Sequence, residues 1–82
     1  MIVLDGRAMQ TRESAYAYLR EKLALPAYFG NNLDALYDAL TDWPDAQAIA
    51  LAGYDEGNAF HRALYGVLKD AAAERGFEIF MM

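Results

Sequence analysis

Three aspartates, Asp34, Asp38 and Asp42, are spaced four residues apart in a part of the chain that has no basic residue. No lysine or arginine occurs between Lys22 and Arg62, although the same stretch holds six carboxylates. On a helix, residues four apart are neighbours, and like charges at that spacing repel each other. The row is therefore unfavourable for the folded chain alone, which indicates that a positively charged partner completes it.

The negative charge of the chain is concentrated in its middle third. The net charge is −5, and residues 28–57 contribute six acids and no base, whereas residues 1–27 sum to +1 and residues 58–82 to zero. This distribution argues against nucleic-acid binding, which requires a basic surface. It favours a basic protein partner, whose association an acidic field accelerates. A second interpretation stays open, in which the acidic surface only aids solubility.

The residue types needed for catalysis are scarce. The chain has no cysteine and a single histidine, His61, with no nucleophile–base pattern beside it and no glycine-rich phosphate loop. We therefore predict that the protein is not an enzyme, that it needs no cofactor, and that His61 lies on a helix surface. A straight row of aspartates supplies fewer oxygens than the six or more that calcium takes, so no metal site is expected.

No segment of the sequence predicts export or membrane insertion. The first residues lack a basic n-region followed by a long apolar run. No apolar run approaches the roughly 20 residues that span a bilayer. We expect a soluble cytoplasmic protein that does not bind membranes.

Six elements position the aspartate row. Apolar runs predict strands over residues 2–4, 48–51 and 78–81. Amphipathic stretches predict helices over residues 12–22, 33–41 and 59–75, with N-caps at Thr11, Asn32 and Asn58 and with Pro26 and Gly76 as stop signals. The order β-α-α-β-α-β predicts one α/β domain over residues 1–82, in which helices pack on a three-stranded parallel sheet.

The second helix has an apolar side and an acidic side. The apolar side repeats at i, i+3, i+4 and i+7 and comprises Leu33, Leu36, Tyr37 and Leu40. Asp34 lies in the first turn and suits the helix dipole, whereas Asp38 and Asp42 lie near the C-terminal end and oppose it. This mismatch indicates a functional constraint, unless another part of the fold offsets it.

Residues 23–43, LALPAYFGNNLDALYDALTDW, closely resemble the signature of the barstar family. Members of that family are intracellular inhibitors of small secreted bacterial ribonucleases such as barnase. The resemblance implies a barstar-like fold and a one-to-one complex with a basic ribonuclease. It also implies a role in toxin immunity and a chain that is monomeric when free.

The resemblance also implies which residues bind the partner. They are Tyr28, Gly30, Asn32, Asp34, Tyr37, Asp38, Thr41 and Trp43, together with Asp70 of the last helix. The family's mechanism implies that Asp38 takes the place of the substrate phosphate and pairs with the arginine, lysine and histidine of the nuclease. We expect Asp34 to be a second contact and Asp42 to contribute mainly to the electrostatic field.

Several of these positions have a structural interpretation as well. We predict that Tyr28 belongs to the interface and Phe29 to the core, that Tyr37 is shared between them, and that Trp43 is a core residue with an exposed edge. Gly30 either lets the loop approach a partner closely or adopts a positive φ. Asn32 is equally well explained by helix capping alone.

The chain departs from the best-known family pattern at several places. Tyr37 stands where that pattern has a tryptophan, Phe29 where it has a tyrosine, and Asp70 where it has a glutamate. The segment over residues 52–58 is short, so we expect that an additional short helix of the family is missing there. An alternative function remains open: an acidic binding module of the same fold with a regulatory role or a partner other than a ribonuclease.

Overall fold

The computed structural model describes residues 1–26 and 29–82. Its strands are β1 (Ile2–Asp5), β2 (Ile49–Ala52) and β3 (Ile79–Met81), and its α-helices are α1 (Arg12–Lys22), α2 (Leu33–Thr41) and α3 (Ala59–Arg75). The predicted α/β class, the element order and the bounds of all three helices are confirmed. A 3-10 helix over Gly6–Ala8 was not predicted, and the strands differ from their predicted bounds by one residue.

The three strands form one parallel sheet in the order β1-β2-β3, as predicted. Leu4 pairs with Leu51, and both point to the core face, where each is at most 2% exposed. Val3 and Phe80 lie in one register row on the opposite face and are 42% and 44% exposed. The helices therefore cover one face of the sheet, which leaves their own outer sides available to a partner.

Each helix begins at a side-chain cap that the sequence predicts. Thr11 and Ser14 form a reciprocal capping box at α1, and the Asn32 side chain accepts a hydrogen bond from the Ala35 amide at α2. The Asn58 side chain accepts hydrogen bonds from two amides at α3. These caps satisfy amides that a helix start otherwise leaves without partners, so they fix where α2 begins.

The core joins all three helices to the sheet. Leu36 and Leu40 of α2 are fully buried and belong to the same cluster as Leu19, Leu64 and the inward residues of the strands. Helix α2 packs mainly against α3. Because its leucine side is committed to that contact, the aspartates on its other sides face outwards. None of the helices in the described ranges combines the length and apolarity that crossing a membrane requires.

The prediction that His61 lies on a helix surface is wrong. His61 is 3% exposed and sits on the inward side of α3, one turn before the buried Leu64. Its Nδ1 accepts a hydrogen bond from the Asp55 amide at 3.0 Å, so Nε2 carries the proton and donates to the Met9 carbonyl oxygen at 2.9 Å. His61 therefore ties α3 to the end of the 3-10 helix and to the loop after β2.

The loop between β2 and α3 contains no helix over residues 53–58. This agrees with the expectation that the additional short helix is missing. Glycine is required at one end of the loop, since Gly53 has a φ of 63°. A Cβ on Gly6 would lie 2.3 Å from the Gly53 carbonyl oxygen, so both glycines allow β1 and β2 to end close together.

Candidate functional site

The aspartate row lies on the exposed side of α2. Asp34, Asp38 and Asp42 are all exposed, and none of their carboxylates accepts a hydrogen bond from the described residues. Within residues 1–26 and 29–82, a salt bridge joins Asp5 to Arg7 at 3.0 Å. Both residues are far from the row in the sequence. No carboxylate of the row therefore forms a salt bridge with the described residues.

The row is split between two grooves. A helix turns about 100° per residue, so positions four apart shift by about 40° around its axis. As a result, Asp38 and Asp42 turn towards one groove and Asp34 towards another. The regular spacing in the sequence indicates one continuous row. In the structure, Asp38 and Asp42 line one groove and Asp34 lines the other.

The first of these grooves, which we call the acidic groove, holds about 430 Å³ between residues 23–26 and 29–30 on one side and the C-terminal half of α2 on the other. Its walls are only slightly more apolar than polar, with Pro26, Ala39 and Pro44 among the apolar residues, and the described residues that line it include no lysine or arginine. Its charged groups are the carboxylates of Asp38 and Asp42. Such a groove favours a cationic group with an apolar stem.

The second groove, the N-terminal groove, holds about 400 Å³ between the starts of α1 and α2. Asp34 shares it with Arg12 and Glu13 of α1, so the charge there is mixed. Burial raises the pKa of the Tyr16 hydroxyl, and the positive charge of Arg12 partly offsets that rise. Tyr16 therefore remains a neutral hydroxyl at this groove around pH 7.

The C-terminal end of α2 receives a cation from another helix. The Arg75 Nε of α3 donates a hydrogen bond to the Trp43 carbonyl oxygen at 3.0 Å. The Thr41 hydroxyl donates to the Asp38 carbonyl oxygen at 3.0 Å. These bonds partly offset the conflict between the aspartates and the helix dipole, but they engage backbone oxygens and leave the carboxylates of Asp38 and Asp42 free.

The aromatic residues divide between core and groove. Phe29 is 7% exposed and belongs to the core, as predicted. Trp43 is 8% exposed, packs edge-to-face on Phe77 at 5.4 Å between ring centroids, and also borders the acidic groove. This arrangement agrees with a core residue that has an exposed edge. Tyr37 is half-buried against the core, and Tyr28 lies outside the described residues.

The loop before α2 is fixed by polar contacts. An Arg20 guanidinium nitrogen donates to the Asn31 side-chain oxygen, and the Asn32 side-chain oxygen accepts from the Ala35 amide at 2.7 Å. Gly30 does not have a positive φ, so that interpretation of the glycine is wrong. A Cβ on Gly30 would lie 3.5 Å from the side-chain nitrogen Nδ2 of Asn32, which is an ordinary van der Waals contact. Close approach of a partner remains as the predicted reason for Gly30.

Asp70 lies apart from the aspartate row. It is exposed on α3 and lines neither the acidic groove nor the N-terminal groove. By helical periodicity it points about 150° from the centre of the buried side of α3. Its predicted role in binding therefore requires a partner that reaches beyond α2.

Sequence reasoning missed the acidic groove itself and the place of Asp42 in its wall. Ala39 and the two prolines that line the groove carry no chemical signal in the sequence. The available signal is the helical angle between the residues. Each step of four residues shifts a side chain by about 40° around the helix axis, so Asp42 and Asp34 are about 80° apart. That separation already predicts that the two residues face different surroundings.

Comparison with known proteins gives two findings. Residues 1–81 match the model of a family described as Barstar (barnase inhibitor). A Bacillus subtilis (strain 168) protein named "Putative ribonuclease inhibitor YrdF" is 40% identical over 60 residues, which are 72% of this chain and 66% of that protein. The chain thus spans slightly less than two thirds of the length of that relative.

Proposed function

The chain belongs to the barstar family, and on that premise we propose that it inhibits a small secreted ribonuclease by placing the acidic side of α2 in the nuclease active site. The family is one of inhibitors rather than enzymes. The observation that carries the proposal is the exposed row of Asp34, Asp38 and Asp42, none of which forms a salt bridge with the described residues. A ribonuclease active site supplies cationic partners for such a row, because it must hold a phosphate.

In the proposed complex, Asp38 stands in for the substrate phosphate. It lies in the middle of the row and reaches into the acidic groove from the exposed side of α2. Its carboxylate has lone pairs free to accept charge-assisted hydrogen bonds from arginine, lysine or histidine side chains, which are stronger than bonds between neutral groups. The chain then blocks the active site both sterically and electrostatically, in a one-to-one complex.

The fold favours this role because α2 is anchored to the rest of the domain behind its acidic side. Leu36 and Leu40 anchor it in the core, Asn32 caps its start, and Arg75 binds the backbone at its end. A preorganised surface loses little conformational entropy on binding, so more of the interaction energy appears as affinity. We propose that the chain acts in the cytoplasm as immunity against a barnase-like enzyme.

The experiment that tests this function is a binding and inhibition assay against a small panel of secreted guanyl-specific ribonucleases, barnase included. We expect at least one enzyme to lose activity in proportion to added inhibitor, with an endpoint at equimolar protein. The matched control is the Asp38→Ala variant, which should keep its fold because Asp38 is exposed.

Inhibition of none of the panel enzymes by the wild-type chain would count against the proposal. It would favour the alternative in which the same acidic surface binds a partner of another class. Equal inhibition by the wild type and Asp38→Ala would still support a role as an inhibitor, but it would show that Asp38 does not act as a phosphate mimic.

A further inference from the structure

We propose that Asp42, together with Asp38, directly receives one arginine side chain of the partner in the acidic groove. This inference rests on the proposed function and deepens it. The sequence alone predicts that Asp42 contributes mainly to the electrostatic field. The structure instead places it in the wall of the same groove as Asp38.

The shape and lining of the acidic groove fit an arginine side chain. Its volume of about 430 Å³ exceeds that of one long side chain, and its walls present Pro26, Ala39, Pro44 and the edge of Trp43. Arginine buries its apolar stem along such surfaces while its charged head stays at the rim. Its guanidinium is weakly hydrated and planar, so it suits a partly apolar site better than an ammonium does.

The charge of the acidic groove is complementary to a guanidinium. Asp42 is the C-cap residue of α2 and lies four residues after Asp38, and no base lines the groove among the described residues. Arg75 binds the Trp43 carbonyl oxygen and leaves both carboxylates without a partner. The negative end of the α2 dipole lies at the same place and further favours a cation. A guanidinium has five N–H donors, enough to reach two carboxylates at once.

The N-terminal groove offers no equivalent place. Asp34 there shares its surroundings with Glu13 and Arg12, so the positive charge of Arg12 already balances one of the two carboxylates. The two grooves thus predict different roles for the outer members of the row. Asp42 receives the arginine directly, whereas Asp34 contacts the partner at a site of mixed charge.

The test compares Asp42→Asn with Asp45→Asn in a complex with a panel ribonuclease that the wild-type chain binds. Asp45 is exposed, lies three residues further along, and does not line the acidic groove. Each variant changes the net charge by the same amount, so a pure field effect slows association equally in both. A direct contact acts mainly on dissociation.

We expect the dissociation rate constant to rise at least about tenfold for Asp42→Asn and to stay within about twofold for Asp45→Asn. In a double-mutant cycle with arginine-to-lysine variants of the ribonuclease, Asp42→Asn should couple strongly to one arginine. Circular dichroism checks that both variants remain folded.

Equal dissociation rates for the two variants would overturn the inference while leaving the proposed function intact. Coupling to no single arginine would have the same consequence. If the wild-type chain binds none of the panel enzymes, the proposed function fails, and this inference fails with it.

Discussion

Replacing Asp38 by asparagine should make the free chain more stable while it weakens the proposed complex. Asp38 faces Asp34 and Asp42 at i±4, and each such repulsion costs about 0.2–0.5 kcal/mol. The Asp38 carboxylate accepts no hydrogen bond from the described residues, so the substitution removes no favourable contact there. Asparagine and aspartate have similar helix propensities. The expected gain in the free energy of unfolding is therefore about 0.4–1 kcal/mol.

The effect of the same substitution on binding should have the opposite sign. Removing one partner of a charge pair that is buried in an interface costs about 3–5 kcal/mol, because the other charge is left unpaired. At 1.36 kcal/mol per factor of ten, the Kd should rise by about two to almost four orders of magnitude. Opposite signs would identify Asp38 as a residue kept for binding at the expense of stability.

The assay is thermal unfolding by circular dichroism at low salt, where a gain of 0.4–1 kcal/mol raises the Tm by about 2–8 °C in a domain of this size. The gain should shrink at 0.5 M salt, because screening weakens interactions between exposed charges. Asp34→Asn is the matched control: it removes one repulsion but also a favourable charge in the first turn, so its Tm should change little or fall. A Tm for Asp38→Asn at or below that of the wild type at low salt would show that repulsion at i±4 does not destabilise the free chain.

Three further predictions concern the buried histidine, one strained residue and the association rate. His61→Ala should lower the free energy of unfolding by about 2–5 kcal/mol in urea titrations, because it opens a cavity and leaves the Asp55 amide and Met9 carbonyl without partners. A loss in the free energy of unfolding below about 1 kcal/mol would contradict the stabilising role of the two His61 hydrogen bonds. Ala24 has a φ of 52° just after α1, a conformation in which alanine is strained. Ala24→Gly should therefore raise the free energy of unfolding by about 0.5–1 kcal/mol. An unchanged or lower urea midpoint would contradict this strain. The rate constant for association with an inhibited ribonuclease should fall about tenfold or more between 0.05 and 0.5 M salt in stopped-flow experiments, and a salt-independent rate would exclude steering by residues 28–57.

The local parts of this fold follow directly from the sequence. Thr11, Asn32 and Asn58 each start a helix because their side-chain oxygens accept the first free amides, a relation that spans only two or three residues. Gly76 ends α3 with a φ of 90°, where other residues are strained. Such short-range chemistry can be read directly from the sequence, and the helix bounds predicted with it match all three helices of the structure.

The features that sequence reasoning missed depend on contacts between distant parts of the chain. His61 is buried because the Met9 carbonyl, 52 residues away, meets its Nε2, and no local pattern records that contact. Likewise, the acidic groove exists because residues 23–26 and 29–30 lie near α2, which brings Pro26 into the same groove as Ala39 and Asp42. The types of the candidate site residues could be predicted, whereas the division of the aspartates between two grooves required the packed fold.

The most direct test of the proposed inhibition is a parallel titration of one panel ribonuclease with the wild-type chain and with Asp38→Asn, at equal concentrations and low salt. We predict that the wild type abolishes nuclease activity at a one-to-one ratio, and that the inhibition constant of Asp38→Asn, measured with the ribonuclease diluted below that constant, is at least about a hundredfold higher although the variant is at least as stable. Equal inhibition constants for the two proteins would contradict this, because the charge at the centre of the row would then contribute nothing to binding.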